Sequence, residues 1–160
     1  MEVIIREGIK LRGRVELSVF DKEGRLKNYL DGGWNDITDA GFDFICDVIA
    51  KSIQPAYMGY IGVGWGVGAN TAFAAGQTDL QGASTDRNAV ATYSHTPGTK
   101  TFYVEAEWGV NDPSTGEVTI EESGCFNATS AGTMLNRKVF AGVVKGANDT
   151  LKVKWTFTLS

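Results

Sequence analysis

Glu105 and Glu107 are the residues whose type and spacing come closest to general acid–base chemistry. They alternate with Val104, Ala106 and Trp108, which predicts a strand with carboxylates on one face and apolar groups on the other. Residues two apart on a strand lie roughly 7 Å apart, which suits the paired carboxylates of glycoside hydrolases. Charged residues opposite an apolar stripe are more typical of a solvated strand face. We therefore expect no catalytic residues, and a protein that is not an enzyme.

Other nucleophiles and metal ligands are sparse. His95, the one histidine of the sequence, precedes the predicted turn Thr96-Pro97-Gly98, where nothing would orient it for a Cys–His or Ser–His system. Cys46 and Cys125 are far apart and match no metal or redox spacing. We expect reduced, buried thiols, with a disulfide between the two as the less favoured alternative, and no bound metal.

A glycine-rich segment follows a predicted strand that ends near Gly64. Gly64, Gly66 and Ala69 satisfy the G-x-G-x-x-A spacing of dinucleotide-binding loops, and Asp86 lies near the usual acidic position. Such a site also needs a helix that begins inside the motif to hold the pyrophosphate. Residues 70–76 have little helical periodicity, so we expect no cofactor and instead a long, contact-making loop over residues 65–85.

Composition narrows the class of protein. The chain has 160 residues, a formal net charge of −4 and 42% hydrophobic residues. A single domain of this size buries a sizeable core. Binding to nucleic acid needs a basic footprint, which an acidic chain with a pI near 5.0 does not provide. No apolar run approaches the roughly 20 residues of a membrane helix. We expect neither nucleic acid nor membrane as a partner.

The elements that position these residues are mostly strands. Residues 150–159 alternate most clearly, with Leu151, Val153, Trp155, Phe157 and Leu159 on one face. Further strands are predicted over 14–20, 25–31, 57–64, 117–126 and 134–141, and a hairpin pairs 88–95 with 99–108. Short strands separated by turns predict a mainly β, antiparallel sandwich or barrel.

One amphipathic helix is predicted over residues 36–53, packed on the sheets. Phe42, Ile45, Val48 or Ile49, and Ile53 recur at three-to-four spacing, and Pro55 ends the run. Residues 31–36 are predicted to interrupt the preceding strand. Residues 1–12 have no clean period, so we expect an N-terminal arm or edge strand there and the sandwich domain over 13–160.

Aromatic and apolar residues outside the predicted core are candidates for contacts between subunits. Trp34 and Trp65 fall in predicted loops, where an exposed indole often marks an interface. Phe73 lies in the glycine-rich loop, and Ile4 and Ile5 lie in the N-terminal arm. These five residues are the predicted interface.

The order of segments resembles a known group of proteins. It runs through GRVELSVFDKEG (13–24), NDITDAG (35–41), YIGVGWG (60–66), Asp79-Leu80, Asp86-Arg87, GCFNATSAGTMLNRKVF (124–140) and KGANDTLKVKWTFTL (145–159). Over residues 13–160 the chain resembles small structural proteins of tailed bacteriophage virions, of the tail-fibre, accessory or capsid decoration type. The resemblance rests on turn glycines and strand parity and implies no catalytic residues.

That resemblance leads to one expected function and two alternatives. We expect a capsid decoration (cement) or neck/tail accessory subunit that is assembled in the host cytoplasm and lies on the outer surface of the virion. It would pack as a homo-oligomer, with a trimer favoured, and against major capsid or tail proteins. The first alternative is a carbohydrate-binding module of a fibre or baseplate, with Trp34 and Trp65 stacking on sugars. The second is a glycan hydrolase that uses Glu105 and Glu107.

Overall fold

The computed structural model describes residues 8–160. Residues 1–7 lie outside the described part of the chain, and with them the predicted contacts of Ile4 and Ile5. The elements are β1 (Leu11–Phe20), β2 (Leu26–Asn35), α1 (Asp39–Ala50), β3 (Tyr60–Trp65), β4 (Ser84–Ala89), β5 (Thr92–His95), β6 (Thr101–Trp108), β7 (Val118–Phe126), β8 (Met134–Lys145) and β9 (Thr150–Leu159).

The strands form two antiparallel sheets with one helix, which confirms the predicted mainly β, sandwich-like domain. One sheet has the order β2-β1-β9-β6-β5 and the other β4-β3-β7-β8. The core between them includes Val15 and Leu17 of β1, Ile61 of β3 and Ile120 of β7. β1 begins at Leu11, two residues before the domain boundary expected at residue 13.

Strand β9 lies at the centre of the five-stranded sheet, between β1 and β6. Its alternation puts Val153, Trp155 and Phe157 into the core, and Trp155 Nε1 donates to Ser123 Oγ at 3.0 Å across to the other sheet. Leu159 continues the same apolar stripe but is 39% exposed. The core is therefore uncovered at the end of the sandwich where Leu159 lies.

Helix α1 is shorter at both ends than the predicted 36–53. Ile37 forms a β-bridge with Asn136, so the chain is still extended there. Thr38 is the N-cap, and its Oγ1 accepts from Gly41 N at 2.9 Å. Lys51 is the C-cap with extended dihedral angles, so Ile53 falls outside the helix.

Two other predicted boundaries are wrong. Residues 31–36 do not interrupt the sheet, since β2 runs through them to Asn35. Gly33 has φ 76°, and the register shifts between Val15 and Glu16, so a bulge accommodates the glycines inside the strand. The predicted strand 88–95 is divided between β4 in one sheet and β5 in the other.

Within residues 8–160, no helix combines the length and apolar character needed to cross a membrane.

Candidate functional site

The apolar side chains of helix α1 are largely uncovered. Gly41 alone is buried within the helix, while Phe42, Val48 and Ile49 are exposed. Ile45 is partly buried and packs against the core. The helix therefore docks on β8 by a small part of its apolar face, and the rest faces solvent.

The uncovered surface continues into the segment after the helix. Ile53 and Tyr57 are each 81% exposed, although both are large and apolar or aromatic. Ile9 before β1, Tyr93 of β5 and Leu159 of β9 are also exposed. Single exposed apolar residues are common on protein surfaces, but many in one region mark a contact surface. We call this region, with the exposed residues of α1, the α1 surface.

A cavity of about 800 Å³ opens within the α1 surface, between the ends of the two sheets. Phe102, Val104 and Phe157 line it from the five-stranded sheet, and Cys125 and Leu135 from the four-stranded sheet. Phe44, Ile45 and Val48 of α1 also line it, together with Pro55, Tyr57 and Met58 of the segment after the helix. The volume is within the range of sites that bind small molecules or anchoring side chains.

The lining of this cavity is almost entirely apolar. No charged side chain of the described residues lines it, and Gln54 is the one amide side chain that does. Cys125 is a free thiol, and burial raises its pKa well above 9.0, so it is protonated at neutral pH and is a poor nucleophile. The cavity can bury apolar groups but offers no acid–base chemistry, and its buried thiol forms a disulfide only with a sulfur that is held against it.

A second, smaller groove lies beside the cavity. It has a volume of about 490 Å³ and runs between residues 9–12 at the start of β1 and Phe42 of the helix. Leu11 lines both hollows, so they adjoin at the point where the chain enters β1. The α1 surface is thus concave in two adjoining places.

Sequence reasoning missed a buried ion pair beneath the glycine-rich loop. Arg137 Nε donates to Glu122 Oε2 at 2.6 Å, and both side chains are fully buried. Arg137 also donates from Nη1 to Thr71 O at 2.8 Å and from Nη2 to Ala69 O at 3.2 Å. Glu122 accepts from Gly82 N at 2.6 Å. The pair therefore fixes both ends of the loop.

This pair explains the glycine spacing that resembles a dinucleotide motif. A Cβ at Gly64 would lie 2.2 Å from Glu122 Oε1, so the glycine makes room for the carboxylate. Gly66 has φ 80°, in the left-handed region that glycine favours. No helix follows within residues 66–83. The described loop lacks the helix N-terminus that a pyrophosphate site requires.

Trp34 lies on β2, at one edge of the five-stranded sheet. Its indole is 43% exposed, with the guanidinium carbons of Arg12 and Arg14 at 5.3 and 5.9 Å from the ring. Arg14 also forms an ion pair with Asp31. This face is polar. Trp34 lines neither hollow, although Arg12, which lies over its ring, lines the smaller groove.

Trp65 and Phe73 are both half-buried. Trp65 ends β3 in the four-stranded sheet and packs partly against the core of its own chain. Phe73 lies in the loop between β3 and β4. The two indoles predicted as one interface or one sugar platform, Trp34 and Trp65, therefore belong to different sheets.

The candidate acid–base and metal residues have structural partners. Lys152 Nζ lies 3.4 Å from Glu105 Oε1 and 3.1 Å from Glu107 Oε1, between the two carboxylates on the neighbouring strand. His95 Nδ1 is 3.0 Å from Thr101 O across the β5–β6 hairpin. Across residues 8–160, no group of His, Cys, Asp and Glu side chains is arranged to hold a metal ion. Cys46 is exposed, so the expectation that both thiols are buried is wrong for it.

The α1 surface was not predicted from sequence, although part of its signal was visible. The helical spacing of Phe42, Ile45 and Ile49 predicted an apolar face but gave no indication that so much of it lacks a covering layer. No family model matches the chain, and neither the curated proteins nor the solved structures include a match.

Proposed function

We propose that the protein is a structural subunit of a bacteriophage virion, either a capsid decoration protein or a neck or tail accessory protein, that acts by packing against copies of itself. The observation that carries the packing role is the α1 surface. There Tyr57 is exposed and lines an apolar cavity, and Ile49 and Ile53 are exposed next in sequence to the lining residues Val48 and Gln54. Exposed apolar surface around a concave site is typical of protein contacts. The assignment to a virion rests on the resemblance of residues 13–160.

The contact chemistry suits another copy of the chain. The chain carries a net charge of −4, which disfavours close approach of copies unless apolar burial offsets the repulsion. No charged side chain of the described residues lines the cavity within the α1 surface, and on the helix Lys51 pairs with Asp47 at 2.7 Å. Most soluble oligomers are closed and symmetric, and we favour a trimer.

Light scattering after size-exclusion chromatography tests the packing role. The wild-type protein should have a mass that is a multiple of the 17.2 kDa chain mass, three times for a trimer. The double variant Ile49→Lys/Ile53→Lys should have the mass of one chain, because lysine at both sites cannot be buried in a dry interface. Both residues are exposed in the single chain, so the subunit itself should still fold.

A matched control places lysine at exposed apolar residues away from the α1 surface. Val67 and Val110 are 88% and 52% exposed and line neither hollow. Val67→Lys/Val110→Lys should keep the wild-type mass. Equal masses for the wild-type protein and the α1 variant would contradict the proposed packing role.

Co-sedimentation tests the assignment to a virion. Purified heads and purified tails of the bacteriophage that encodes the chain, prepared without it, are mixed with the wild-type protein or with Ile49→Lys/Ile53→Lys. We expect the wild-type protein to sediment with one of the two particles and to saturate it. Absence of saturable binding to both would contradict a virion role while leaving homo-oligomer formation intact.

Trp34 favours a second candidate function, a carbohydrate-binding module of a fibre or baseplate. Its half-exposed indole is surrounded by Arg12, Arg14 and Asp31, which supply an aromatic face for a sugar ring and polar groups for its hydroxyls. Glycan-array binding with quenching of tryptophan fluorescence tests it. Signals that persist in Trp34→Ala would count against this candidate.

A further inference from the structure

We propose that the cavity in the α1 surface receives the apolar N-terminal residues Val3, Ile4 and Ile5 of a second copy of the chain. The inference rests on the proposed function, because it names the segment that joins one subunit to the next. It turns a general apolar contact into a specific exchange of N-terminal segments.

The lining of the cavity sets the chemistry of its occupant. Phe102, Phe157 and Leu135 form apolar walls, and no charged side chain of the described residues lines the space. A charged occupant would lose its hydration without gaining a partner, which disfavours it strongly. Aliphatic side chains lose no hydrogen bonds on entry and gain apolar burial, which exceeds the cost of their lost rotamer freedom. The occupant should therefore be aliphatic over its inserted part.

The sequence before residue 8 has this character over a short stretch. Val3, Ile4 and Ile5 are consecutive aliphatic residues, with Glu2 before them and Arg6 after them. Insertion of the three aliphatic side chains leaves both charges at the mouth, where they remain hydrated. The length of the apolar stretch thus matches a local cavity and not an extended groove.

The position of the chain at residues 9–11 puts the N-terminal segment within reach of such a cavity, and the oligomer proposed above supplies the neighbouring copy. Lys10 N donates to Ser160 O at 2.7 Å, and Ser160 N donates to Lys10 O at 2.9 Å, which continues the β1–β9 ladder past Leu11. The chain at Lys10 is therefore extended along the strand direction and leaves the sheet at the cavity end. Seven further residues reach roughly 23–25 Å at full extension, enough to enter a cavity on an adjoining copy.

Disulfide trapping tests the exchange, because Cys125 lines the cavity. Cysteine replaces Val3, Ile4 or Ile5, one at a time, in a Cys46→Ser background in which Cys125 is the only native thiol left. After mild oxidation, at least one variant should give covalent species of two or more times the 17.2 kDa chain mass, up to three times in a trimer. Mass spectrometry should map its disulfide to Cys125, since the bond forms only between Cα atoms within about 7 Å.

Val67→Cys in the same background is the matched control. Val67 is 88% exposed and does not line the cavity, so its cysteine should form no disulfide with Cys125. A disulfide to Cys125 within one chain would overturn the inference, since each segment would then occupy its own cavity. Absence of a disulfide to Cys125 at all three positions would overturn it as well.

A dye-binding measurement gives a second, independent test. Deletion of residues 1–7 removes nothing from the described strands and should let an apolar fluorescent dye enter the cavity. Burial of one isoleucine side chain corresponds to about a tenfold change in an equilibrium constant, so the deletion should bind the dye at least about tenfold more tightly than the full chain. Equal affinities would contradict the inference, as would an apolar small molecule that co-purifies in the cavity.

Light scattering on the same proteins under reducing conditions separates this inference from the proposed function. An oligomer that fails both the trapping and the dye test would overturn the segment exchange but leave the packing role intact. A protein that stays a single chain at every concentration would overturn both.

Discussion

Arg137 Nε donates to Glu122 Oε2 at 2.6 Å inside the four-stranded sheet, with both side chains fully buried. Hydrogen bonds from this pair explain how the 18-residue loop 66–83 is held in place although it contains no helix or strand. Arg137 binds the carbonyl groups of Ala69 and Thr71, and Glu122 binds the N–H groups of Gln81 and Gly82. A buried charge pair whose remaining hydrogen-bonding groups are satisfied is tolerated, whereas half of it is not.

Removal of one charge of this pair should strongly destabilise the fold. We expect Arg137→Met to lower the free energy of unfolding by about 3–5 kcal/mol, because it leaves Glu122 buried without a cation. Urea denaturation followed by tryptophan fluorescence measures the change. Glu107→Gln, which removes only the exposed ion pair with Lys152, is the control and should change stability by about 1 kcal/mol or less. A loss of unfolding free energy as small as that of the control would show that the Arg137–Glu122 pair does not stabilise the fold.

The double variant Glu122→Gln/Arg137→Met should lose less stability than the sum of its single variants. With Arg137 replaced, the buried charge of Glu122 has no partner and destabilises the fold. A neutral glutamine at position 122 removes that destabilisation. Contacting residues commonly show coupling of about 0.5–3 kcal/mol. The same urea titrations on all four proteins give this coupling energy, and strict additivity would contradict a direct interaction.

Gly64→Ala should destabilise the protein through the same carboxylate. The added Cβ would lie 2.2 Å from Glu122 Oε1 and displace it from the N–H groups of the loop. A buried group left without its hydrogen bond costs about 1–3 kcal/mol. Gly76→Ala is the matched control, because nothing lies within 4 Å of its Cβ position. Similar midpoints of unfolding for both variants would contradict this account of Gly64.

The strands were predictable because their alternation is local. Val153, Trp155 and Phe157 share one parity, and period-two burial follows from the pleat of a strand whatever its neighbours are. The division of residues 88–95 was not predictable in the same way. Asn88 and Thr92 are polar residues of the same parity, and only their pairing partners, which lie in different sheets, separate β4 from β5.

The α1 surface and the ion pair depend on tertiary neighbours. The helical spacing of Phe42 and Ile49 predicts an apolar face, but which side chains receive a covering layer depends on the path of distant strands. In the sequence Glu122 is one of two adjacent acidic residues, and Arg137 lies 15 positions away on the next strand. No local pattern indicates that they meet.

Docking of helix α1 should depend on Thr38 and Gly41. Thr38 Oγ1 donates to Met134 O at 2.6 Å and accepts from Gly41 N at 2.9 Å, so one hydroxyl caps the helix and ties it to β8. We expect Thr38→Val to lower the free energy of unfolding by about 1–2 kcal/mol, and Thr38→Ser to restore most of it. Gly41→Ala should destabilise further, because its Cβ would lie 2.3 Å from Leu135 O. Urea midpoints that follow side-chain size instead, with Thr38→Ser as unstable as Thr38→Val, would contradict the capping role.

Asp149 and Lys27 should contribute to pH-dependent stability. Lys27 Nζ donates to Asp149 Oδ2 at 2.8 Å, and this hydrogen bond lowers the pKa of Asp149 below its usual 3.8 and raises the pKa of Lys27 above 10.5. A lowered carboxyl pKa stabilises the fold above the usual value, and that contribution is lost as the pH falls through the lower folded pKa. The raised pKa of Lys27 stabilises the fold at pH values below 10.5. This contribution to stability is lost as the pH rises through the pKa of Lys27 in the folded protein.

Lys27→Met and Asp149→Asn should therefore each reduce stability at neutral pH and flatten both limbs of the pH–stability curve. Urea titrations from pH 2 to pH 11 measure those limbs. Part of the acid limb should remain, because hydrogen bonds from the backbone of Arg25 and from the side chain of Arg14 also lower the pKa values of Asp21 and Asp31, respectively. An acid limb in Asp149→Asn as steep as that of the wild-type protein would show that the Lys27 hydrogen bond does not contribute to stability.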